Sequence, residues 1–180
     1  MDEHTRKQLQ INSVARNLAQ RFASKVSIEF GKSFKYGRAF YAVIDGKPAT
    51  LEQFVKGDFV RYINNDGKVY EKSGDEEEHD EILKKAEWFV HFTSELSEKK
   101  MTVLDLQGSK FDLYDPEIAT CELQDNANYE YYFCAGNMST VGIKNFCDFH
   151  ICNKYYPPIP LDLDEEARKI LYPHYGLYLK

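Results

Sequence analysis

The sequence predicts an α+β fold. Helical periodicity of apolar residues near the N-terminus and again in the middle of the chain indicates helices, and short β-rich runs bounded by glycine and aspartate indicate strands. The chain has 180 residues, of which 43% are hydrophobic, so we expect a single domain with its own core. The 13 tyrosines and 12 phenylalanines favour a packed domain over a disordered chain.

The first quarter of the chain is predicted to form one helix and a small antiparallel sheet. From Thr5 to Ala23, apolar residues recur at near-helical spacing among polar ones, which predicts an amphipathic helix. The runs from Val26 to Phe30 and from Ala39 to Ile44 are predicted to be strands. The dipeptide Asp45-Gly46 predicts a tight turn after the second of them.

A further strand, a second helix and a polar strand end follow. The segment from Leu51 to Tyr62 is predicted to contain another strand, and the residues from Asn64 to Gly67 are turn formers. An acidic run then leads into an apolar stripe from Ile82 to Val90, and carboxylates in a first turn favour a helix there. The run from Met101 to Leu106 predicts a strand that delivers polar groups to its end.

Two more helices are predicted towards the C-terminus. One covers Val141 to Phe149, and a short one covers Leu163 to Leu171, after the break at Pro157-Pro158-Ile159-Pro160.

Composition excludes several classes of partner and suggests a compartment. A net charge of -6 argues against a nucleic-acid surface, because neutralising phosphates takes clustered Lys and Arg. No apolar run approaches the roughly 20 residues that a membrane span needs, and the N-terminus lacks the pattern of a signal peptide. We therefore expect a cytoplasmic protein without membrane or nucleic-acid partners. Its four cysteines are expected to be reduced thiols or metal ligands.

Polar oxygens are concentrated around the predicted strand end near residue 105. Asp105 and Gln107 share one face if the backbone is extended, and Asp112 and Asp115 follow Gly108, at which the chain can turn. Such oxygens suit Mg²⁺, and a second carboxylate is then free to act as a base. Taken alone, these residues fit an ordinary strand end and turn more simply than a metal site.

A second set of residues has the chemistry of zinc ligands. His91 lies on the predicted second helix, whereas Cys147, His150 and Cys152 are close together in the sequence. A structural zinc site takes four nitrogen or sulfur donors, so this set could tie two helices together. The alternative is a buried histidine with small buried cysteines.

Several segments, read in order, resemble the alpha-kinase family of atypical protein kinases. They span residues from about 5 to 156 and are, in order, Leu51 to Asn65, His91-Phe92-Thr93, Val103 to Gly108, Phe111 to Ile118, Gly136-Asn137-Met138, Gly142 to Phe146, and His150 to Asn153. The third and fourth of these are similar to the family's D-x-Q-G and D-P-x-I motifs. The last is similar to its zinc motif.

The resemblance implies a protein-kinase-like, two-lobed fold and a serine/threonine protein kinase that uses ATP and Mg²⁺. It implies that Glu52 lies at the adenine-binding hinge and that Gln107 and Asp115 hold Mg²⁺. It also implies that Asp105 is the catalytic base and that Asn137 helps to place the protein substrate.

The resemblance also implies how the chain is divided. We expect a reduced N-terminal lobe and hinge to about residue 62, a C-terminal lobe over 63–156 and a tail over 157–180. The N-terminal helix matches the family's helix that follows the strands with the phosphate-binding lysine, so those strands would precede Met1 and the chain would be a truncated gene product. The open edge of the N-terminal lobe would then suit a covering partner.

The zinc motif departs from the family at its end. The resemblance implies zinc ligands at His91, His150 and Cys152, but Tyr156 stands where the family has a cysteine, and a neutral phenol is a poor zinc ligand. Either Cys147 is the fourth donor, or zinc is bound through three, or packing replaces the metal. We expect no ordinary four-ligand site.

Two alternatives to an active kinase come from other classes. One is a catalytically impaired pseudokinase that binds nucleotide or a protein partner, as the expected loss of the lysine strand suggests. The other is a zinc-supported interaction domain, which leaves the D-x-Q-G segment without a role.

Overall fold

Groups of successive strands lie between the helices in the computed structural model, which describes residues 2–26, 28–70, 77–124, 132–133, 136–153 and 155. The elements in chain order are α1 (Glu3–Lys25), a 3₁₀ turn (Ile28–Phe30), β1 (Lys35–Tyr36), β2 (Ala39–Ile44), β3 (Lys47–Glu52), β4 (Val60–Ile63), α2 (Glu77–Leu96), β5 (Met101–Leu104), β6 (Leu106–Ser109), β7 (Asp112–Leu113), β8 (Glu117–Thr120) and α3 (Ser139–Phe149). The predicted α+β class is confirmed.

The main core forms where α1 crosses α2. Asp2 caps α1 by accepting a hydrogen bond of 2.9 Å from the backbone N–H of Thr5. Near the other end of α1, Phe22 is fully buried, and its ring centroid lies 4.8–5.4 Å from four aromatic rings. These rings belong to Phe30, Trp88, Phe89 and Phe92. Edge-on and tilted rings at such distances stabilise a core beyond the burial of their area.

The strands of the described residues form three sheets. Their strand orders are β1-β7-β6-β4, β2-β3 and β5-β8, and all pairs are antiparallel except β1 with β7. The four-stranded sheet takes strands from both sides of the predicted lobe boundary near residue 62. That boundary stays a prediction.

The chain crosses between two of these sheets at two aspartates. Asp105 separates β5, in a two-stranded sheet, from β6, in the four-stranded sheet, and Asp115 lies on the return path from β7 to β8. Both have left-handed backbone, with φ values of 49° and 50°. Aspartate tolerates this conformation better than most residues. The two crossings therefore bring the side chains of Asp105 and Asp115 together at one place, the acidic junction.

The β2-β3 hairpin has an exposed apolar surface. The predicted turn at Asp45-Gly46 is confirmed, and both residues have the positive φ of a two-residue hairpin turn. Phe40, Val43 and Ile44 are more than half exposed. Coverage of this region by a partner stays a prediction.

Other elements test the remaining sequence predictions. Helices α1, α2 and α3 are confirmed, whereas the predicted strand from Val26 to Phe30 is wrong. Ile28 is 96% exposed and Phe30 is 3% exposed. A strand would place these two side chains on one face, and the 3₁₀ turn instead lets Phe30 pack against Phe22. The helix predicted from Leu163 to Leu171 lies outside the described residues.

Within the described ranges, none of the helices combines the length and apolar character needed to cross a bilayer.

Candidate functional site

The two chain crossings bring Asp105, Gln107 and Asp115 into contact. The amide nitrogen Nε2 of Gln107 donates to Asp105 Oδ2 at 3.1 Å. It also faces the carbonyl oxygen and Oδ2 of Asp115 at 3.2 and 3.4 Å. The predicted clustering is confirmed for these three residues but not for Asp112, which pairs with Lys35 at 2.9 Å. The expected cause of the clustering is wrong. Asp105 is not extended; it reaches Gln107 because the backbone reverses at its left-handed φ.

Arg61 lies directly across the sheet from Gln107. The two residues are register partners on β4 and β6, so their side chains project from one face. Nε and Nη2 of Arg61 donate to Gln107 Oε1 at 3.1 and 2.6 Å, and Nη1 donates to Asn64 Oδ1 at 3.4 Å. The sequence does not predict this contact, because it depends on a register between residues 46 positions apart.

Asp105 is 91% buried, with 9% of its surface exposed. Arg61 Nε lies 3.5 Å from Asp105 Oδ1, an ion-pair distance, but its N–H points at Gln107 Oε1. Among the described residues, Asp105 Oδ1 therefore accepts no hydrogen bond. Burial raises the pKa of Asp105 to about 6, with Arg61 opposing the shift and Asp115 adding to it.

Glu117 adds another carboxylate that the sequence reasoning did not single out. It begins β8, its Oε2 is buried, and within the described part of the chain that atom has no hydrogen-bond partner. Burial raises the pKa of Glu117 to about 7, and the charges of Asp115 and Asp105 add to the shift. Gly136 packs against this carboxyl group so closely that a Cβ there would lie 2.2 Å from Glu117 Cδ.

Glu52 reaches the same junction from the end of β3. Its Oε1 accepts a hydrogen bond of 3.4 Å from Asn12 Nδ2, and the backbone N–H of Asp115 also faces its carboxylate. Burial raises the pKa of Glu52, and the charge of Asp115 adds to the shift. Its predicted contact with adenine stays a prediction.

The Tyr36 hydroxyl is a further buried polar group near these acids. It has no hydrogen-bond partner among the described residues. Burial raises the pKa of Tyr36, and the charges of Asp105 and Glu52 add to the shift.

Asn137 is buried, and its side-chain amide is used within the protein. Its Oδ1 accepts hydrogen bonds from the backbone N–H groups of Thr120 and Ser139, at 3.0 and 2.9 Å. Its Nδ2 donates to Thr120 Oγ1 and to the carbonyl oxygen of Tyr132, at 2.7 and 3.1 Å. The amide thus fastens the start of α3 to β8. Substrate binding by Asn137 stays a prediction.

His91, His150 and Cys152 form a compact cluster of metal-type donors. His91 Nδ1 lies 3.0 Å from His150 Nε2, and Cys152 Sγ lies 3.8 and 3.7 Å from these two atoms. Tetrahedral zinc would separate two nitrogens by about 3.3 Å and a nitrogen from a sulfur by about 3.6 Å. Burial lowers the pKa of His91 to about 3, with His150 and Lys99 adding to the shift, so its ring is neutral.

Cys147 does not join the cluster. The group of mutually close donor atoms in the described chain consists of His91, His150 and Cys152. Tyr156 lies outside the described residues. The expectation of no ordinary four-ligand zinc site stays a prediction.

The acidic junction fits a divalent cation in part. The carboxyl groups of Asp105 and Asp115 face each other across the Gln107 amide, and Asp105 Oδ1 lacks a hydrogen-bond donor among the described residues. Such hard oxygens suit Mg²⁺. The oxygen of Gln107, however, faces Arg61 rather than the two acids. In this orientation Gln107 does not fit as a third ligand.

Comparison with known proteins identifies relatives of the whole described region. The model of the alpha-kinase family matches residues 1–156. Human transient receptor potential cation channel subfamily M member 7 is 30% identical over 168 residues, which is 86% of this chain and 9% of that protein. Human eukaryotic elongation factor 2 kinase is 33% identical over 128 residues, which is 68% of this chain and 15% of that protein. The chain thus spans a small part of these relatives.

Solved structures share the fold. The inactive alpha-kinase domain of myosin heavy chain kinase A in complex with ATP superposes with a TM-score of 0.68. The sequence identity is 24%, and the match covers 86% of this chain and 57% of that chain.

Proposed function

The chain belongs to the alpha-kinase family, and we propose on that premise that it transfers the γ-phosphoryl group of ATP to a serine or threonine hydroxyl of a protein substrate. The proposal depends on the arrangement of side chains at the acidic junction. Two sheet crossings hold Asp105 and Asp115 against Gln107, with the guanidinium of Arg61 beside them. ATP as the nucleotide is supported by the ATP complex of the related myosin heavy chain kinase A domain.

Asp105 is the proposed proton acceptor. Phosphoryl transfer forms a bond between the substrate oxygen and the γ-phosphorus, breaks the bond to the β-phosphate oxygen, and releases a proton from the hydroxyl. With its pKa raised to about 6, Asp105 is mostly ionised at pH 7 and is more basic than an ordinary aspartate. A positioned base of this kind typically contributes about 10²–10⁴-fold to the rate.

The proposed site must also neutralise the negative charge of the nucleotide phosphates. Asp115 would hold Mg²⁺ through its carboxylate, and Gln107 would do so through its amide oxygen after reorientation. The bound cation would neutralise phosphate charge during transfer. Arg61 offers a planar set of donors that matches phosphate oxygens in pairs.

We propose that adenine binds at Glu52 and at the segment that follows it. Phe54 in this segment is largely exposed, and Phe59 is more than half exposed. Exposed aromatic rings offer surfaces on which a base can stack. We retain Asn137 and its loop as the proposed contact with the substrate peptide.

Transfer of labelled γ-phosphate from MgATP to a basic protein substrate tests the proposal. We expect Asp105→Ala to lower kcat at least 10²-fold and Asp115→Asn to lower transfer strongly. Asp112→Asn is the matched control, because Asp112 pairs with Lys35 on the surface at 2.9 Å. It should keep transfer within about threefold of wild type, as surface changes usually perturb little.

The outcomes separate the kinase from the pseudokinase. Equal transfer by wild type, D105A and D115N would contradict the proposal. If neither wild type nor the variants transfer phosphate, but ATP raises the Tm of the wild type in a Mg²⁺-dependent way, the chain is a nucleotide-binding pseudokinase. A ligand that binds only the folded state stabilises it.

We also propose that His91, His150 and Cys152 hold a structural Zn²⁺ through three side chains. We expect about one zinc per chain after dialysis against metal-free buffer, and its loss, with a lower Tm, after dialysis against EDTA. His91→Asn should abolish zinc uptake. Zinc that survives EDTA would point to a fourth protein donor, and a protein that takes up no zinc would contradict the proposal.

A further inference from the structure

The Gln107 amide is held in one orientation by charged neighbours on both sides. Its oxygen accepts two hydrogen bonds from Arg61, and its nitrogen faces oxygens of Asp105 and Asp115. Turning the amide by 180° would put its N–H groups against the guanidinium, which has only donors. It would also put the oxygen against carboxylates. The network of partners therefore fixes the orientation.

This orientation conflicts with metal binding by Gln107. A divalent cation held by Asp115 would need the Gln107 oxygen on the side of the amide that faces the carboxylates. That side presents Nε2, whereas Oε1 lies 2.6 Å from Arg61 Nη2. Gln107 can join such a site only if its amide turns. Arg61 opposes the turn for as long as it holds the oxygen.

Arg61 has an alternative kind of partner within the proposed site. Its side chain is 37% exposed, so it is not sealed in the core. A guanidinium prefers anions to a neutral amide, and it binds phosphate through paired donors. A nucleotide phosphate that engaged Arg61 would remove the two hydrogen bonds that hold Gln107 Oε1.

We propose that Arg61 is a positioning residue that couples nucleotide binding to divalent-cation binding. Without a nucleotide, Arg61 turns the Gln107 oxygen away from the acids and weakens cation binding. When a phosphate takes over Arg61, the amide is free to turn its oxygen to Asp115. The inference rests on the proposed nucleotide site. It adds that nucleotide binding strengthens cation binding and, because such coupling is reciprocal, that the cation strengthens nucleotide binding.

A double-mutant cycle on Mn²⁺ binding tests the coupling. Mn²⁺ favours the same oxygen ligands as Mg²⁺ and can be titrated directly by calorimetry or electron paramagnetic resonance. The proteins are wild type, Arg61→Met, Gln107→Leu and the double variant, all without nucleotide. We expect R61M to tighten Mn²⁺ binding at least fivefold in the wild-type background. In the Q107L background, only the smaller effect of removing a positive charge should remain.

Binding of ATP in EDTA tests whether Arg61 exchanges the Gln107 oxygen for a phosphate. We expect R61M to weaken metal-free ATP binding at least tenfold. Q107L should tighten it about threefold, because Arg61 no longer has a competing acceptor. Adenosine, which lacks phosphates, should bind all variants within about twofold of wild type. Loss of structure alone would not produce opposite effects of R61M and Q107L on one ligand.

The outcomes decide the inference independently of the kinase proposal. An equal effect of R61M on Mn²⁺ affinity with and without the Gln107 amide would overturn it, as would weaker Mn²⁺ binding by R61M. Arg61→Lys, which keeps the charge but not the paired donors, should lie between wild type and R61M and provides a second variant if R61M unfolds. Absence of phosphate transfer alongside an intact cycle would refute the kinase activity and leave the coupling standing.

Discussion

Replacing Glu117 by Gln should stabilise the metal-free protein at pH 8 and have little effect at pH 4. Burial, Asp115 and Asp105 raise the pKa of Glu117 from an ordinary 4.5 to about 7. The folded protein thus retains this proton more tightly than the unfolded chain does. The stability linked to the proton is fully present below pH 4.5 and is lost as the pH rises through about 7.

The size of this effect follows from the two pKa values. At about 1.4 kcal/mol per pH unit, the shift corresponds to a cost of up to about 3 kcal/mol at pH 8, and solvent screening of the partly exposed side chain lowers this cost. The repulsion is shared with two other carboxyl groups, so we expect E117Q to gain about 1–3 kcal/mol at this pH. For a chain of this length, each kcal/mol raises Tm by about 2–4 °C.

Urea and thermal unfolding in EDTA at pH 4 and pH 8 provide the measurement. Glu98→Gln is the control, because Glu98 is exposed and should change stability by less than about 0.5 kcal/mol at either pH. If E117Q shifted stability equally at the two pH values, the carboxyl group would not be buried and crowded as the structure shows. A destabilised E117Q at pH 8 would contradict the reasoning outright.

Three further changes test the packing of the fold. Gly67→Ala should destabilise by more than about 2 kcal/mol, because a Cβ would lie 2.3 Å from the Gly142 carbonyl oxygen; Gly46→Ala, also at positive φ but in open space, should cost about 1 kcal/mol in the same urea titration. Phe22→Ala should cost about 3–5 kcal/mol by removing the ring at the centre of the aromatic core, and similar unfolding midpoints of the two proteins would contradict this. Asn137→Ala should cost about 2–4 kcal/mol and raise amide exchange at the start of α3, because buried partners lose their hydrogen bonds; unchanged exchange there would contradict the fastening role.

The sequence predicts those parts of the fold that local periodicity encodes. The buried face of α1 includes Ile11, Ala15, Leu18 and Phe22, a helical spacing that is visible before any contact is known. The hairpin turn is equally local, since Asp45-Gly46 can adopt two positive φ values in succession. Local sequence patterns do not predict the 3₁₀ turn at Ile28–Phe30. Its residues have strand-like composition, and their conformation is set by the burial of Phe30 against Phe22.

The site is predictable in its residue types but not in its connections. Asp105, Gln107 and the zinc-type cluster can be found from ligand chemistry and from ordered motifs. Arg61 cannot, because only the β4-β6 register places it against Gln107. The environment of Glu117 cannot be found either, because the close approach of Gly136 comes from a loop 19 residues further along the chain.

The junction depends on two sheets at once, and this explains why its geometry is hard to read from one motif. Leu104 pairs with Glu117 in one sheet and Gly108 pairs with Leu113 in the other, so each aspartate lies between two fixed strand pairs. A slip of one residue in either pair would send its side chains to the opposite face. The register of β6 with β7 requires glycine at position 108, because a Cβ there would lie 2.1 Å from the Asp112 carbonyl oxygen. Tight backbone packing at a glycine thus fixes one of the two strand registers that bring together two acids ten positions apart in the sequence.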